Sequence, residues 1–314
     1  MEDQGVSQQD LEQEEGLLAT VIVPSFRRGA ILRQCLQALE KSPESSRLQV
    51  IVLDIGNYDT TTQWDLDFPG ATFLRMPRNF GATRAMNIGI RSAQADVLLF
   101  LDPAVEVGPD TIPLLVSRLE GMKEAAAMMP LLVDASGKPV PQVRKLPGRG
   151  ELWAAWQAEE GLPLASPVTM DQPVAVEYPG RKALMIRRAF LKGMNYFDEK
   201  YGEWGGDLEL AFQIRHAGRK ALLIPDIRAT DRSGDEGIKS WSNGQRAILA
   251  ADRLNGAAHF LAKRIGYAAS FWIQAQAVMV TFLRAITFQK PAYNWKLLFG
   301  LLGGQKIDGS QGLV

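Results

Sequence analysis

The stretch VIVLDIGNYD (50–59), followed by FLRMPRNFGATRAMNIGIRSAQADVLLFLDPAVEV (73–107), decides the fold. One apolar run ends in Asp54, with Asn57 and Asp59 just beyond it, and a second ends in Asp102. Between them lies a segment punctuated by glycine and asparagine that carries Arg78, Asn79, Gly81, Arg84, Asn87 and Gly89. Strands that end in carboxylates at one edge of a parallel sheet are where α/β proteins bind nucleotides and metals. The pattern points first to a nucleotide-using enzyme, with ordinary strand-end polar residues as the alternative.

Outward from this stretch, strand and helix patterns alternate. Residues 18–24 (LLATVIVP, less its first leucine) are a β-branched run closed by Pro24, as in a buried parallel strand. Helical apolar spacing follows over 31–40, with strands expected at 50–53, 72–74 and 97–101 and helices over 82–93 and 111–122. Short connections between alternating elements argue for an open, mostly parallel sheet flanked by helices. Residues 134–175 are dense in proline and glycine around an amphipathic piece at 151–159, the composition of a long functional loop. A strand at 183–186, a helix over 208–217 and a strand at 221–224, ended by Pro225, complete the expected sheet region. From Gly244 onward the chain turns helical, with apolar residues at helical spacing over 247–261 and 267–286 and a further apolar patch at 295–302. The expected domains are a disordered polar tail (1–17), the α/β domain (18–240) and a C-terminal helical extension (241–314).

Composition narrows the function classes. The 314 residues carry 35 basic and 35 acidic side chains, so no global field draws in nucleic acid. The lone Cys35 excludes an internal disulfide and sits on the apolar side of a helix pattern, which reads as buried filler. His216 and His259 lack metal-ligand spacing. The polar, acidic start is unlike a signal peptide. Tyr267 to Ile286 mixes aromatic and aliphatic residues with Gln274, Gln276 and Arg284, short of a clean span. It suits a membrane interface, or packing on the main domain or in a homodimer. The expected location is cytoplasmic, with peripheral contact at the inner face of the cell membrane.

Four blocks together resemble glycosyltransferase family 2, in the style of bacterial rhamnosyltransferases. They are TVIVPSFRR (20–28), VIVLDIGNYD (50–59), NFGATRAMNIGI (79–90) with LLFLDPAVEVGPD (98–110), and GRKALMIRRAFLKGMNYFDEKYGEWGGDLELAFQIRHAG (180–218), and the likeness covers about residues 18–234. The resemblance implies a GT-A-type fold, a nucleotide-sugar donor, a glycan or lipid-linked acceptor at the cell surface, and Mg or Mn on the donor diphosphate. It assigns Pro24, Asp54 and Asp59 to the nucleoside, Asn79, Arg84 and Asn87 to the nucleotide, and Asp102 to both nucleotide and metal. Asp207 takes the place of the base that deprotonates the acceptor hydroxyl, with Glu209 beside it on the diphosphate and acceptor side.

The departures are as informative. The metal motif reads Asp102-Pro103-Ala104, without its second acid, and Asp231 stands where the family often has a histidine ligand. Gly206 replaces the glutamate before the base, and Arg181 and Lys182 replace a small pair. The two cations either grip the diphosphate in place of a metal or fill the pocket and end catalysis. Two readings follow: an inverting glycosyltransferase, or a non-catalytic relative kept as a binding or scaffold subunit of a glycan assembly complex.

Overall fold

The structure is a computed structural model, described here for residues 16–26, 29–55, 63–158, 172–233 and 242–307. Asn57, Asp59 and most of the expected N-terminal tail lie outside the described residues. In chain order the principal elements begin with β1 (Ala19–Ser25), α1 (Gly29–Glu40), β2 (Leu48–Asp54), α2 (Trp64–Asp67), β3 (Ala71–Arg75), α3 (Ala82–Ser92) and β4 (Val97–Leu101). They continue with β5 (Val105–Val107), α4 (Thr111–Gly121), β6 (Ala125–Val133), β7 (Val143–Arg144), α5 (Arg149–Gln157), β8 (Val174–Val176), β9 (Tyr178–Pro179) and β10 (Ala183–Arg187). The remainder is α6 (Arg188–Gly193), α7 (Gly206–His216), β11 (Lys220–Asp231), α8 (Asn243–Arg264), α9 (Tyr267–Ile286) and α10 (Pro291–Leu302).

The main sheet runs β3-β2-β1-β4-β10-β6-β11-β5, with β8 also on β11. β1, β2, β3 and β4 pair in parallel. β10 is antiparallel to both β4 and β6, and β11 is parallel to β6. Period-2 alternation divides the core: Val21, Val23 and Val52 meet Leu32 and Leu36 of α1 on one face, while Ile22, Ile51 and Leu53 meet Met86 and Ile90 of α3 on the other. Cys35 is buried in the first of these layers, and burial pushes its thiol up to about 12.

The reversed direction of β10 positions the site. Ala183 pairs with Leu101, so the start of β10 lies at the carboxyl edge of β4 and carries Arg181 and Lys182 there. The Asp102 N–H donates to the Lys182 carbonyl at 2.7 Å and locks the two segments together.

Two strand expectations change. β11 does not stop at Pro225: its ladder with β6 slips between Ile224 and Arg228 and then resumes to Thr230, and Asp231 pairs with Val105 of β5. The proline sits in the irregularity, where no ladder N–H is required. β6, entirely buried, has no counterpart among the expected strands, because AAAMMPLLV has no alternation and contains Pro130. Pro130 pairs opposite Ile224 at the same slip.

The three C-terminal helices share one core with α5 and α7, through residues such as Trp156, Leu208, Ala251, Leu254, Ile273 and Leu297. Ser242 and Gln245 form a capping box that starts α8 four residues before the expected 247. Asp252 of α8 accepts N–H bonds from Glu203 and Trp204 and from Ile307, tying the loop before α7 to the C-terminal segment.

Candidate active site

A cleft of about 550 Å³ opens at the carboxyl edge of β1 and β4. Its lining includes Pro24, Asn79, Asp102, Arg181, Lys182 and Asp207, all singled out from the sequence. It also includes Gln142, Arg144 and Glu203, which were not.

Asp207 stands in the first turn of α7, where the helix dipole favours a negative charge. Gly205 precedes the helix with φ +106°, a conformation that favours glycine. A Cβ on Gly206 would lie 2.9 Å from Thr83 Oγ1, so α3 and α7 approach too closely there for a glutamate without rearrangement. The Asp207 side chain is 15% exposed. Its Oδ2 accepts the Tyr178 hydroxyl at 2.8 Å and faces Arg181 Nε at 3.5 Å. Its Oδ1 is buried without a hydrogen-bond partner among the described residues. Burial, then the Asp207 carboxylate, raises the Tyr178 hydroxyl well above its ordinary value, so it stays a donor.

Arg181 is 30% exposed within the cleft. Burial works against its charge, but Asp207, Glu203 and Asp102 outweigh that effect and raise its pKa. Glu203 accepts the Ala82 N–H at 3.0 Å at the start of α3. Burial raises its carboxyl above the ordinary value, against the pull of Arg181 and that N–H bond. The signal for Glu203 lay four residues before Asp207 in the same sequence block. Gln142 and Arg144 come from the proline-rich excursion, where no periodicity marked them; Arg144 also sits over the Tyr178 ring at 5.7 Å.

Several assigned residues are placed elsewhere. Asp54 is fully buried at the end of β2 and is not among the described residues that line the cleft. Arg84 is exposed on α3 and lies over the Phe80 ring at 4.8 Å, outside the cleft lining. Asn87 is fully buried and clips the segment before Glu199 to α3. It donates to the Phe197 carbonyl at 2.9 Å and Glu199 Oε1 at 3.1 Å and accepts the Phe197 N–H at 3.0 Å, which uses its amide for structure. Glu209 is two residues from Asp207 and therefore on the opposite side of α7. It is buried against Arg264, Lys263, Tyr201 and Gln213; burial opposes its charge, but the Arg264 and Gln213 bonds outweigh it and lower its pKa.

The two metal candidates do not form a donor set. Asp102 Oδ1 accepts the Ala104 N–H at 2.9 Å. Asp231 accepts Lys182 Nζ at 2.6 Å and the Ser233 N–H at 2.9 Å. Burial opposes the Asp231 charge, yet these bonds lower its pKa. No group of three His, Cys, Asp or Glu side chains suited to a metal occurs among the described residues. Lys182 bonds Ser233 Oγ at 2.7 Å as well, so the second cation is tethered at the cleft wall.

Comparison with known proteins identifies the family. The profile of Glycosyl transferase family 2 matches residues 20–190, and the chain belongs to that family. Among its relatives is the N-acetylglucosaminyl-diphospho-decaprenol L-rhamnosyltransferase of Mycobacterium tuberculosis. The two are 24% identical over 227 residues, covering 65% of this chain and 73% of the relative. Among solved structures, GalNAc-T7 with UDP, GalNAc and Mn2+ aligns with TM-score 0.58 and 17% identity over 80% of this chain, which spans about half (51%) of that chain. The Pyrobaculum calidifontis mannosyltransferase PcManGT with GDP-Man and Mn2+ aligns with TM-score 0.51 and 16% identity, over 93% of this chain and 86% of that one. At these identities the structural likenesses establish the shared glycosyltransferase fold.

Proposed function

We propose that the protein transfers a sugar, with inversion, from a nucleotide-sugar donor to a hydroxyl of a glycan or lipid-linked acceptor, with Asp207 as general base. The observation that carries this reading is the position of Asp207. Its carboxylate sits at a helix N-terminus in the cleft, beside a fixed cation and at the sheet edge where α/β folds bind nucleotides. In the step proposed, the acceptor hydroxyl oxygen bonds to the anomeric carbon and its proton passes to Asp207. The bond from that carbon to the diphosphate oxygen breaks, and the nucleoside diphosphate leaves with the electron pair. The name of the rhamnosyltransferase relative, with its diphospho-decaprenol acceptor, supports a lipid-linked acceptor in cell-wall-type glycan synthesis.

The solved relatives hold Mn2+ with their nucleotides. The donor set described here does not fit such an ion: one Asp102 oxygen takes a backbone N–H, and Asp231 is paired with Lys182. The charge on the leaving diphosphate falls instead to Arg181, whose planar fork matches phosphate geometry, with Lys182 beside it.

A second reading, a donor-binding relative without turnover, is favoured by the same Arg181–Asp207 contact, which holds a cation against the base. Transfer by the wild type against Asp207→Asn, over a panel of nucleotide sugars, separates the two.

A further inference from the structure

The outer face of α9 is apolar. Tyr267 (84% exposed), Phe271 (63%), Trp272, Met279, Phe282, Leu283 and Ile286 all stand open to solvent. At 3.6 residues per turn, the six from Phe271 to Ile286 fall within about 120° of the helix circumference. The opposite arc, Ser270, Ile273, Ala277, Thr281 and Ala285, is buried. α10 repeats the division: Trp295, Phe299 and Leu302 face out while Tyr293, Leu297, Leu298 and Leu301 face in. An apolar arc of this width on a helix marks a docking face rather than the scattered exposure of a solvated helix.

Charge selects the occupant. Residues 265–307 hold Arg284, Lys290, Lys296 and Lys306 and no acidic residue, in a chain with equal numbers of acids and bases overall. A second copy meeting this face across a twofold axis would set like charges against like. An anionic lipid surface would meet the exposed Lys290 and Lys296 with opposite charge while Trp and Phe enter the headgroup boundary; Arg284 lies on the side of the buried arc, and Lys306 Nζ donates to the Glu199 carbonyl. α9 is long and apolar enough to cross a membrane by length and composition. Its buried arc, packed in the core shared with α8 and α10, places it along a surface instead.

We propose that the outer faces of α9 and α10 seat the protein on a bilayer bearing anionic lipid, through Phe271, Trp272, Phe282, Trp295 and Phe299. This inference stands apart from the transfer reaction, because its readout is vesicle binding alone.

The test is co-sedimentation of the full chain with phosphatidylcholine vesicles, with and without phosphatidylglycerol, at low and high salt. Binding is expected to the mixed vesicles, weakened by salt. It should fall roughly tenfold or more in a Phe271→Glu, Phe299→Glu double variant. Thermal midpoints report whether that variant folds. Lys290→Gln with Lys296→Gln alters only exposed side chains and should remove the preference for phosphatidylglycerol. The proposal is overturned if the wild type stays in the supernatant with mixed vesicles at low salt. It is equally overturned if the face proves to be a dimer contact, with the glutamate variant monomeric and the wild type a dimer that binds no vesicle.

Discussion

Replacing Arg181 with methionine isolates the step in which a side chain takes the place of a metal. The guanidinium lies 3.5 Å from Asp207 and shares the cleft with Asp102, Glu203 and Lys182. Against a diphosphate about 4 Å away, a unit charge at an effective dielectric of about 20 contributes roughly 4 kcal/mol before desolvation is subtracted. Charge-assisted hydrogen bonds measured net of solvent contribute about 1.5–3 kcal/mol, a factor of about 10–150 in Kd. The expected result is a loss of that size in calorimetric titration with UDP, dTDP or GDP, whichever the wild type binds. Wild-type affinity should be the same in EDTA and in Mn2+. Methionine keeps the aliphatic bulk but removes the cation that offsets three carboxylates, so the thermal midpoint is measured alongside. Arg181→Lys keeps the charge without the fork and should fall between the two. Affinity within twofold of wild type in a folded Arg181→Met protein would refute the reasoning, as would wild-type binding that vanishes in EDTA.

Two other substitutions probe the scaffold. Asn87→Ala leaves the backbone groups of Phe197 without partners and should cost about 1–3 kcal/mol in a urea melt, while the folded fraction keeps its nucleotide affinity; a tenfold affinity loss with an unchanged melt would return Asn87 to the binding site. Asp252 is raised to about 7, chiefly by burial and then by Glu203, against three backbone N–H bonds. Because its folded pKa exceeds the unfolded value, its contribution is fully present below about pH 4 and is lost as pH rises toward 7. Glu209 and Asp231, both held low, act below that window. Urea midpoints at pH 5 and 8 should therefore differ in the wild type by more than in Asp252→Asn, and equal differences would contradict this.

The first half of the sheet was legible because β1, β2 and β4 are short apolar runs closed by a proline or an acid, and their helices carry clear apolar periodicity. β6 was hidden by its uniform apolar character and Pro130. The end of β11 was hidden by Pro225, whose bulge depends on the partner strand. At the site, Asp102, Arg181, Lys182 and Asp207 reach one cleft because β10 runs back beside β4, and their motifs marked them. Asn87 and Glu209 carried the same motif signal, yet the structure spends their polar groups on a loop clip and on a buried pair with Arg264. Motif position alone does not distinguish a side chain that faces the cleft from one a helical face away. Glu203 and Arg144 enter the cleft through a loop and a two-stranded ribbon that have no sequence period.

The central claim rests on Asp207, and the most direct measurement is sugar transfer by the full chain to a lipid-linked acceptor in EDTA. Wild type is compared with Asp207→Asn across a panel of nucleotide sugars. Removal of a general base typically lowers the rate by about 10²–10⁴-fold. A fall of that order, with donor affinity retained, is the expected result. Asn keeps the shape of the carboxylate and the Tyr178 contact, so the melt should barely move. Equal rates in the two proteins, or no turnover by the wild type with any donor it binds, would contradict the account.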